Sequence, residues 1–318
     1  LLLIVSSPED VHAQAIQNAL HPKQSAIWNP NWESEFFLSS TFRSSEARVE
    51  VRSTSSGIDF DSVTAVWYRR PISAMPRRLF RTESYFVARE RDDALEGFFL
   101  ALQQRGVALY NLPSANYASA TKPAQYAAAV RHGLQVPETL ISNDPQMVRE
   151  FLQQNERAIL KGVSLSGLDT GDKHYAIFVS EVDEHAFSTL DERLPPCPVT
   201  VQQLIDWAHA ARLILVDDRV WCFTTARAAQ LDWRLDTRAR WQSAAIPAEI
   251  RGSLTALHAS LGLRYGCVDM LIDTAGVWWF LETNANGQWL WLEESSGFPL
   301  SAEMAQALLS QHHFPQAA

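Results

Sequence analysis

The stretch CVDMLIDTAGVWWFLETN, Cys267 to Asn284, reads as two strands joined by a turn at Asp273-Thr-Ala-Gly276. Apolar side chains alternate on both sides of that turn, the period-two pattern of a half-buried hairpin. If Ile272 pairs with Val277, Asp269 lies opposite Phe280. Alternation then puts Val268, Met270, Ile272, Val277, Trp279 and Leu281 on one face. Asp269, Glu282 and Asn284 share the other face, at one end of the hairpin. Three oxygen donors on rigid strands suit a hard cation such as Mg2+, which is usually held by one or two carboxylates plus substrate phosphates. The plainer alternative is a solvated strand end, because surface acids are common. The chain continues as ANGQWLWLEES, so a glycine and two tryptophans follow directly on the carboxylate end.

Composition narrows the rest. The chain has 318 residues, enough for two or three small lobes. Its formal net charge of -9 argues against a nucleic-acid partner, which calls for an excess of Lys and Arg. The opening LLLIV falls far short of the roughly 20 apolar residues that span a bilayer. It also lacks a basic leader and a small-residue cleavage pattern, so it reads as a buried first strand with no membrane partner. Cys197, Cys222 and Cys267 form no CxxC and are odd in number, which argues against a disulfide framework and a zinc site and leaves the cytoplasm as the default.

Punctuation divides the chain into an N-terminal lobe over 1–113, a central lobe over 114–199 and a C-terminal lobe over 200–318. In the first, LLLIV, a helix over Val11 to Leu20, VEVRS, AVWYRRP, a helix over Ser84 to Gln104 and VALYNLP alternate as a small α/β unit. In the second, a helix begins at Lys122, VPETLIS is a strand, Asn143 caps a helix, and RAILK is a strand ending at Lys161. The third holds VTVQQLI, a hairpin turning at Asp217-Asp218, a helix near Ala248 to Leu261, the hairpin already quoted and a last helix near Ser301 to Ser310. Lys161 ends its strand before a glycine-bearing loop, a good place for an ammonium that holds phosphate oxygens. Lys122 stands at a helix start after a polar loop. An ordinary exposed lysine is the plainer reading of each. In VTVQQLI, Gln202 and Gln203 offer amide and backbone groups to a purine edge, or are simply polar residues facing outward.

The order Lys122, Lys161, VQQLI, VDM and FLETNANGQWLWLE resembles the ATP-grasp carboxylate ligases. AVWYRRP (Ala65 to Pro71), LDWR (Leu231 to Arg234) and ETNANGQWLWLEESSGFPL (Glu282 to Leu300) narrow the resemblance to the branch that matures microviridin-type peptides, the graspetides. It runs over nearly the whole chain. The resemblance implies an α/β (α+β) ATP-grasp fold of three lobes, with ATP held between two antiparallel-rich sheets of the central and C-terminal lobes. It implies Lys122 and Lys161 on the ATP phosphates, Gln202 with Leu204 and Ile205 at the adenine, and Asp269, Glu282 and Asn284 on Mg2+. Arg212 is placed near the phosphates and Arg234 against the substrate or acyl phosphate. The run WAHAAR departs from the family pattern, which has an acid shortly before the arginine, and leaves the ribose to Asp206 or His209.

The implied reaction is ATP-dependent activation of a Glu or Asp side chain of a ribosomally made precursor peptide, followed by ring closure with Ser, Thr or Lys. The implied partners are that precursor, with a leader and an acidic core, and a second copy in a homodimer. Two rivals are a ligase that adds a free amino acid to a peptide and a catalytically degenerate nucleotide-binding module. The arginines Arg69, Arg70, Arg77, Arg78 and Arg81 could attract an acidic peptide. A solvated positive face is the plainer reading for the last three, and a partly structural role beneath a strand for the first two.

Overall fold

The computed structural model describes residues 1–30, 36–43, 46–53, 57–71, 83–163, 167–169, 174–176, 179–191, 197–227 and 239–310. The N-terminal part runs β1 (Leu2–Val5), α1 (Val11–Asn18), β2 (Ser25–Trp28), β3 (Phe36–Arg43), β4 (Glu46–Ser53), β5 (Ala65–Tyr68), α2 (Glu83–Gln104) and β6 (Ala108–Tyr110). Strands β2-β1-β5-β6 form a parallel sheet, and β3 and β4 make a separate antiparallel pair. A parallel sheet needs both faces covered, and alternation in LLIV supplies two apolar faces. Leu3 and Val5 pack with Phe98 and Phe99 of α2, while Leu2 and Ile4 join a core with Trp289, Leu300 and Met304 from the far end of the chain.

The central part runs α3 (Pro113–Ser119), α4 (Lys122–Arg131), β7 (Thr139–Ser142), α5 (Pro145–Gln154), β8 (Ala158–Lys161), β9 (Gly167–Asp169), β10 (His174–Ala176), β11 (Ser180–Val182), α6 (Glu184–Asp191) and β12 (Val199–Gln203). Its antiparallel sheet has the order β11-β8-β12-β7. The N-cap of α5 is Asp144, whose carboxylate accepts from the Gln146 N–H, one residue later than the expected Asn143. Strand β12 pairs with β7 and β8, and residues 204–206 connect it to the next sheet.

The C-terminal part runs β13 (Trp207–Val216), β14 (Arg219–Ala226), β15 (Gln242–Ala244), α7 (Ala248–Ser260), β16 (Tyr265–Asp273), β17 (Trp278–Asn284), α8 (Leu290–Ser296) and α9 (Leu300–Leu309). Its antiparallel sheet has the order β15-β14-β13-β16-β17. The β13–β14 turn falls at Asp217, which has φ 54° and ties its carboxylate to Arg264 at 2.6 and 2.8 Å. No described helix is long and apolar enough to cross a membrane.

The hairpin of β16 and β17 forms with a different register from the one the alternation suggests. Ile272 pairs with Trp278 and Met270 with Phe280, and a bulge between Met270 and Asp269 then brings Glu282 opposite Asp269. The bulge redistributes the faces. Val268, Met270 and Phe280 pack on Leu254 and Leu257 of α7, whereas Trp279 and Leu271 lie on the opposite side and Val277 is exposed. Had Met270↔Phe280 pairing continued unbroken, Glu282 would stand opposite Val268 and face the core. The extra residue, Leu281, lines the cleft beside Glu282, so the bulge re-aims the acid.

Candidate active site

Arg212, Asp269 and Glu282 occupy neighbouring register positions on β13, β16 and β17, so the sheet itself lays a cation and two acids in a row. Arg212 Nη1 donates to Asp269 Oδ1 at 2.6 Å, and its Nη2 donates to the Gln288 carbonyl at 2.9 Å. Burial works against the Arg212 charge, but the adjoining Asp269 carboxylate outweighs it and holds the guanidinium pKa above its usual value. Glu282 Oε2 accepts from Lys122 Nζ at 3.0 Å and Oε1 accepts from Asn284 Nδ2 at 3.2 Å. Burial raises the Glu282 pKa. The Lys122 ammonium, the Asn284 amide and the Lys161 charge more than offset that and bring it to about 2.

The loop after β17 answers for its glycine. A Cβ on Gly287 would lie 2.3 Å from Cys267 Cβ and 2.6 Å from its Sγ, so only glycine lets the backbone pass there. The N-terminal part of the chain then clamps the loop. The Asn286 carbonyl accepts from Arg70, the Gly287 carbonyl from Arg69 and Tyr265, and the Trp289 N–H donates to His12 Nε2 at 3.1 Å. Arg69 is fully buried, ion-pairs with Asp10 at 2.9 Å and lies over the Trp67 ring. Arg69 and Arg70 of WYRRP thus hold up the loop on which the site rests. Arg77, Arg78 and Arg81 lie outside the described residues.

Helix α4 docks against β17 beside the site. Lys122 reaches Glu282. Gln125, one turn on, makes a two-point contact with Thr283: its Oε1 accepts from the Thr283 N–H at 2.8 Å and its Nε2 donates to the Thr283 carbonyl at 2.9 Å. Tyr126 Oη accepts from Lys161 Nζ at 2.9 Å and from Gln202 Nε2 at 3.3 Å. Lys161 also donates to Gln202 Oε1 at 2.8 Å. The Gln202 side chain is therefore engaged with Lys161, Tyr126 and Thr139, and the Gln203 and Leu204 N–H groups donate to the Glu138 and Arg157 carbonyls.

A cleft of about 1210 Å³ lies between the central and C-terminal sheets. Lys122, Lys161, Gln202, Leu204, Ile205, Arg212, Asp269, Glu282 and Asn284 all border it. Asp206 and His209 do not, and Asp206 pairs instead with Arg227. Arg234 lies outside the described residues. Two adjacent carboxylates and an amide oxygen are a hard, oxygen-only donor set, which fits Mg2+ completed by phosphate oxygens. Among the described residues no group of three His, Cys, Asp or Glu side chains converges, so a self-sufficient protein metal cage is not built.

Sequence reasoning did not find Gln125, Tyr126, His12 or the clamping role of Arg69. Tyr126 and Gln125 could have been found from their i+4 and i+3 spacing to Lys122, which puts them on its helix face. His12 and Arg69 meet the loop across more than two hundred residues of chain and carry no local signal.

No family model matches the chain, and no curated protein matches it. Among solved structures, it is similar to a RiPP-associated ATP-grasp ligase of Chryseobacterium gregarium in complex with ADP and a leader and core peptide, at 20% identity and TM-score 0.78, covering 96% of both chains. It is similar to the macrocyclase MdnC of Microcystis aeruginosa MRC bound with precursor peptide MdnA, at 22% identity and TM-score 0.78, covering 97% of this chain and 98% of that one. The ATP-grasp ligase PsnB, complexed with minimal precursor, Mg and ADP, matches at 23% identity and TM-score 0.77, covering 97% and 96%. The chain has the ATP-grasp fold.

Proposed function

We propose that the protein is an ATP-dependent peptide ligase that activates Glu or Asp side chains of a ribosomally made precursor and closes lactone or lactam rings. The observation that carries this reading is the row of Arg212, Asp269 and Glu282, joined to Lys122 and facing Lys161 across the cleft. Similarity to ligases solved with leader, core and precursor peptides supports the peptide as substrate. A peptide carboxylate attacks the γ-phosphorus of ATP, the bond to the β-phosphate oxygen breaks, and ADP leaves. A Ser or Thr hydroxyl, or a Lys amine, then attacks the acyl carbon, loses its proton and expels phosphate. The net change in the peptide is one water lost per link.

Asp269, Glu282 and Asn284 would hold Mg2+, which when bound neutralises phosphate charge and orients the terminal phosphoryl group. Lys122 and Lys161 bring positive charge to the same cleft and position the polyphosphate, and Leu204 and Ile205, which also line the cleft, are assigned to the adenine. Arg212, held charged by Asp269 and pinned by the Gln288 carbonyl, is preorganised to meet negative charge as the phosphoryl group moves. Arg234 is proposed to contact the acyl phosphate. No enzyme nucleophile is required, because ATP supplies the leaving group. The proposed assembly is a homodimer, testable by light scattering.

Intact-mass analysis of a candidate precursor, incubated with the enzyme, ATP and Mg2+, tests the reading. Loss of one water mass per link with matching ADP and phosphate supports it. A gain of one amino-acid residue favours the free-amino-acid ligase, and ATP binding without any mass change favours the degenerate module.

A further inference from the structure

Lys122, Gln125 and Tyr126 stand at i, i+3 and i+4 on α4, and together they bond to both sheets that flank the cleft. Lys122 ion-pairs with Glu282 on the C-terminal sheet. Gln125 is buried and grips both backbone groups of Thr283, as a strand neighbour would, which fixes the helix against β17. Tyr126 reaches the other way. Its ring is buried in the core beneath β13 and β16, and its hydroxyl accepts from Lys161 and Gln202 on the central sheet. Lys161 Nζ also lies 5.7 Å from the centre of that ring.

A lysine ammonium on a four-carbon stem samples many directions, and fixing it costs rotamer entropy. Here two acceptors, Tyr126 Oη and Gln202 Oε1, take hydrogen bonds from one ammonium that borders the cleft. Gln202 is oriented in turn by donating to Tyr126 Oη and Thr139 Oγ1. We propose that Tyr126 is a positioning residue: its hydroxyl, carried on the helix that also bears Lys122, aims the Lys161 ammonium at the nucleotide's phosphates. One rigid helix then sets the separation of both ammonium groups, although Lys161 belongs to a different sheet from Glu282. This deepens the ATP-binding reading above and rests on it.

The test is a double-mutant cycle on binding of Mg2+ with a non-hydrolysable ATP analogue, followed by calorimetry. Tyr126→Phe keeps the buried ring and removes only the hydroxyl, so the fold persists. It is expected to weaken binding about tenfold, the worth of one hydrogen bond to a charged group. Lys161→Met is expected to weaken binding further, and the double variant Tyr126→Phe/Lys161→Met to bind no more weakly than Lys161→Met alone. Affinity unchanged in Tyr126→Phe overturns the proposal. So does a double variant in which the two losses add, because the hydroxyl then acts independently of Lys161. Unchanged affinity in Lys161→Met instead overturns the underlying reading that this lysine grips the nucleotide.

Discussion

The two sheets that face each other across the cleft are built to different strengths. In the C-terminal sheet, β13, β14, β16 and β17 run seven to ten residues each and both faces are packed. Leu213, Val268, Met270 and Phe280 close one face, while Ile214, Val216, Tyr265 and Cys267 close the other. In the central sheet the strands run three to five residues. One face packs on Val148, Leu152 and Phe187 of α5 and α6, and the other presents Lys161 and Gln202 to the cleft. Groups on the thick sheet, Arg212, Asp269 and Glu282, are set side by side by strand register and then fixed by short contacts to the Gln288 carbonyl, Lys122 and Asn284. Lys161 on the thin sheet is placed by a tyrosine from a helix docked on the thick one.

The contrast can be broken first in the two cores. Phe280→Ala should cost about 3–5 kcal/mol in urea unfolding. Phe187→Ala removes a similarly buried ring, yet its loss should appear as local opening, with faster hydrogen exchange in β8 and β12 while β13 and β16 stay protected. Equal global losses in both variants would refute the difference in strength. Next, Glu282→Gln should lower ring closure roughly 10²–10³-fold, the loss typical of removing one preorganised electrostatic group, and should also lower the melting temperature, because Lys122 and Asn284 favour the ionised carboxylate in the folded state. A third variant, Gly287→Ala, must displace Cys267 and should cost about 1–3 kcal/mol.

The smallest effect is on pH. His258 is buried under Gly266 with Nε2 against Thr283 Oγ1, and burial pushes its pKa down to about 4 from 6.5. A histidine depressed in the folded state stabilises the fold while neutral. That contribution is complete above about pH 6.5 and is lost as the pH falls toward 4. Burial depresses His12 in the same direction. Stability should therefore drop by about 1 kcal/mol from the His258 term between pH 7 and pH 5.5. Thermal melts of His258→Asn across that range should show a shallower fall, and an unchanged slope would remove His258 from the account.

Much of the thick sheet was legible because its signals are local. The turn at Asp217-Asp218, the alternation in CVDMLID and the acid-to-amide step Glu282-Thr-Asn284 each concern a few adjacent residues. The bulge at Leu281 was not legible, since it trades one apolar pairing for another and shows only when the strands are laid side by side. Gln202 stands in an apolar run, and that local pattern points to a purine edge. Its engagement with Lys161 and Tyr126 depends on packing between a strand and a helix about seventy residues upstream. The short helix α8 hides in QWLWLEES, where tryptophans obscure the apolar stripe. Asp206 and His209 were candidates for the ribose by position alone, and the strand that starts at Trp207 leaves both outside the cleft.

The most direct measurement is a crystal of the protein grown with Mn2+ and a non-hydrolysable ATP analogue, with the metal located by its anomalous scattering. The account predicts Mn2+ within coordination distance of oxygens from Asp269, Glu282 and Asn284, with the polyphosphate between the metal and Lys161. A nucleotide bound elsewhere, or Mn2+ absent from those three side chains while the nucleotide fills the cleft, would contradict it.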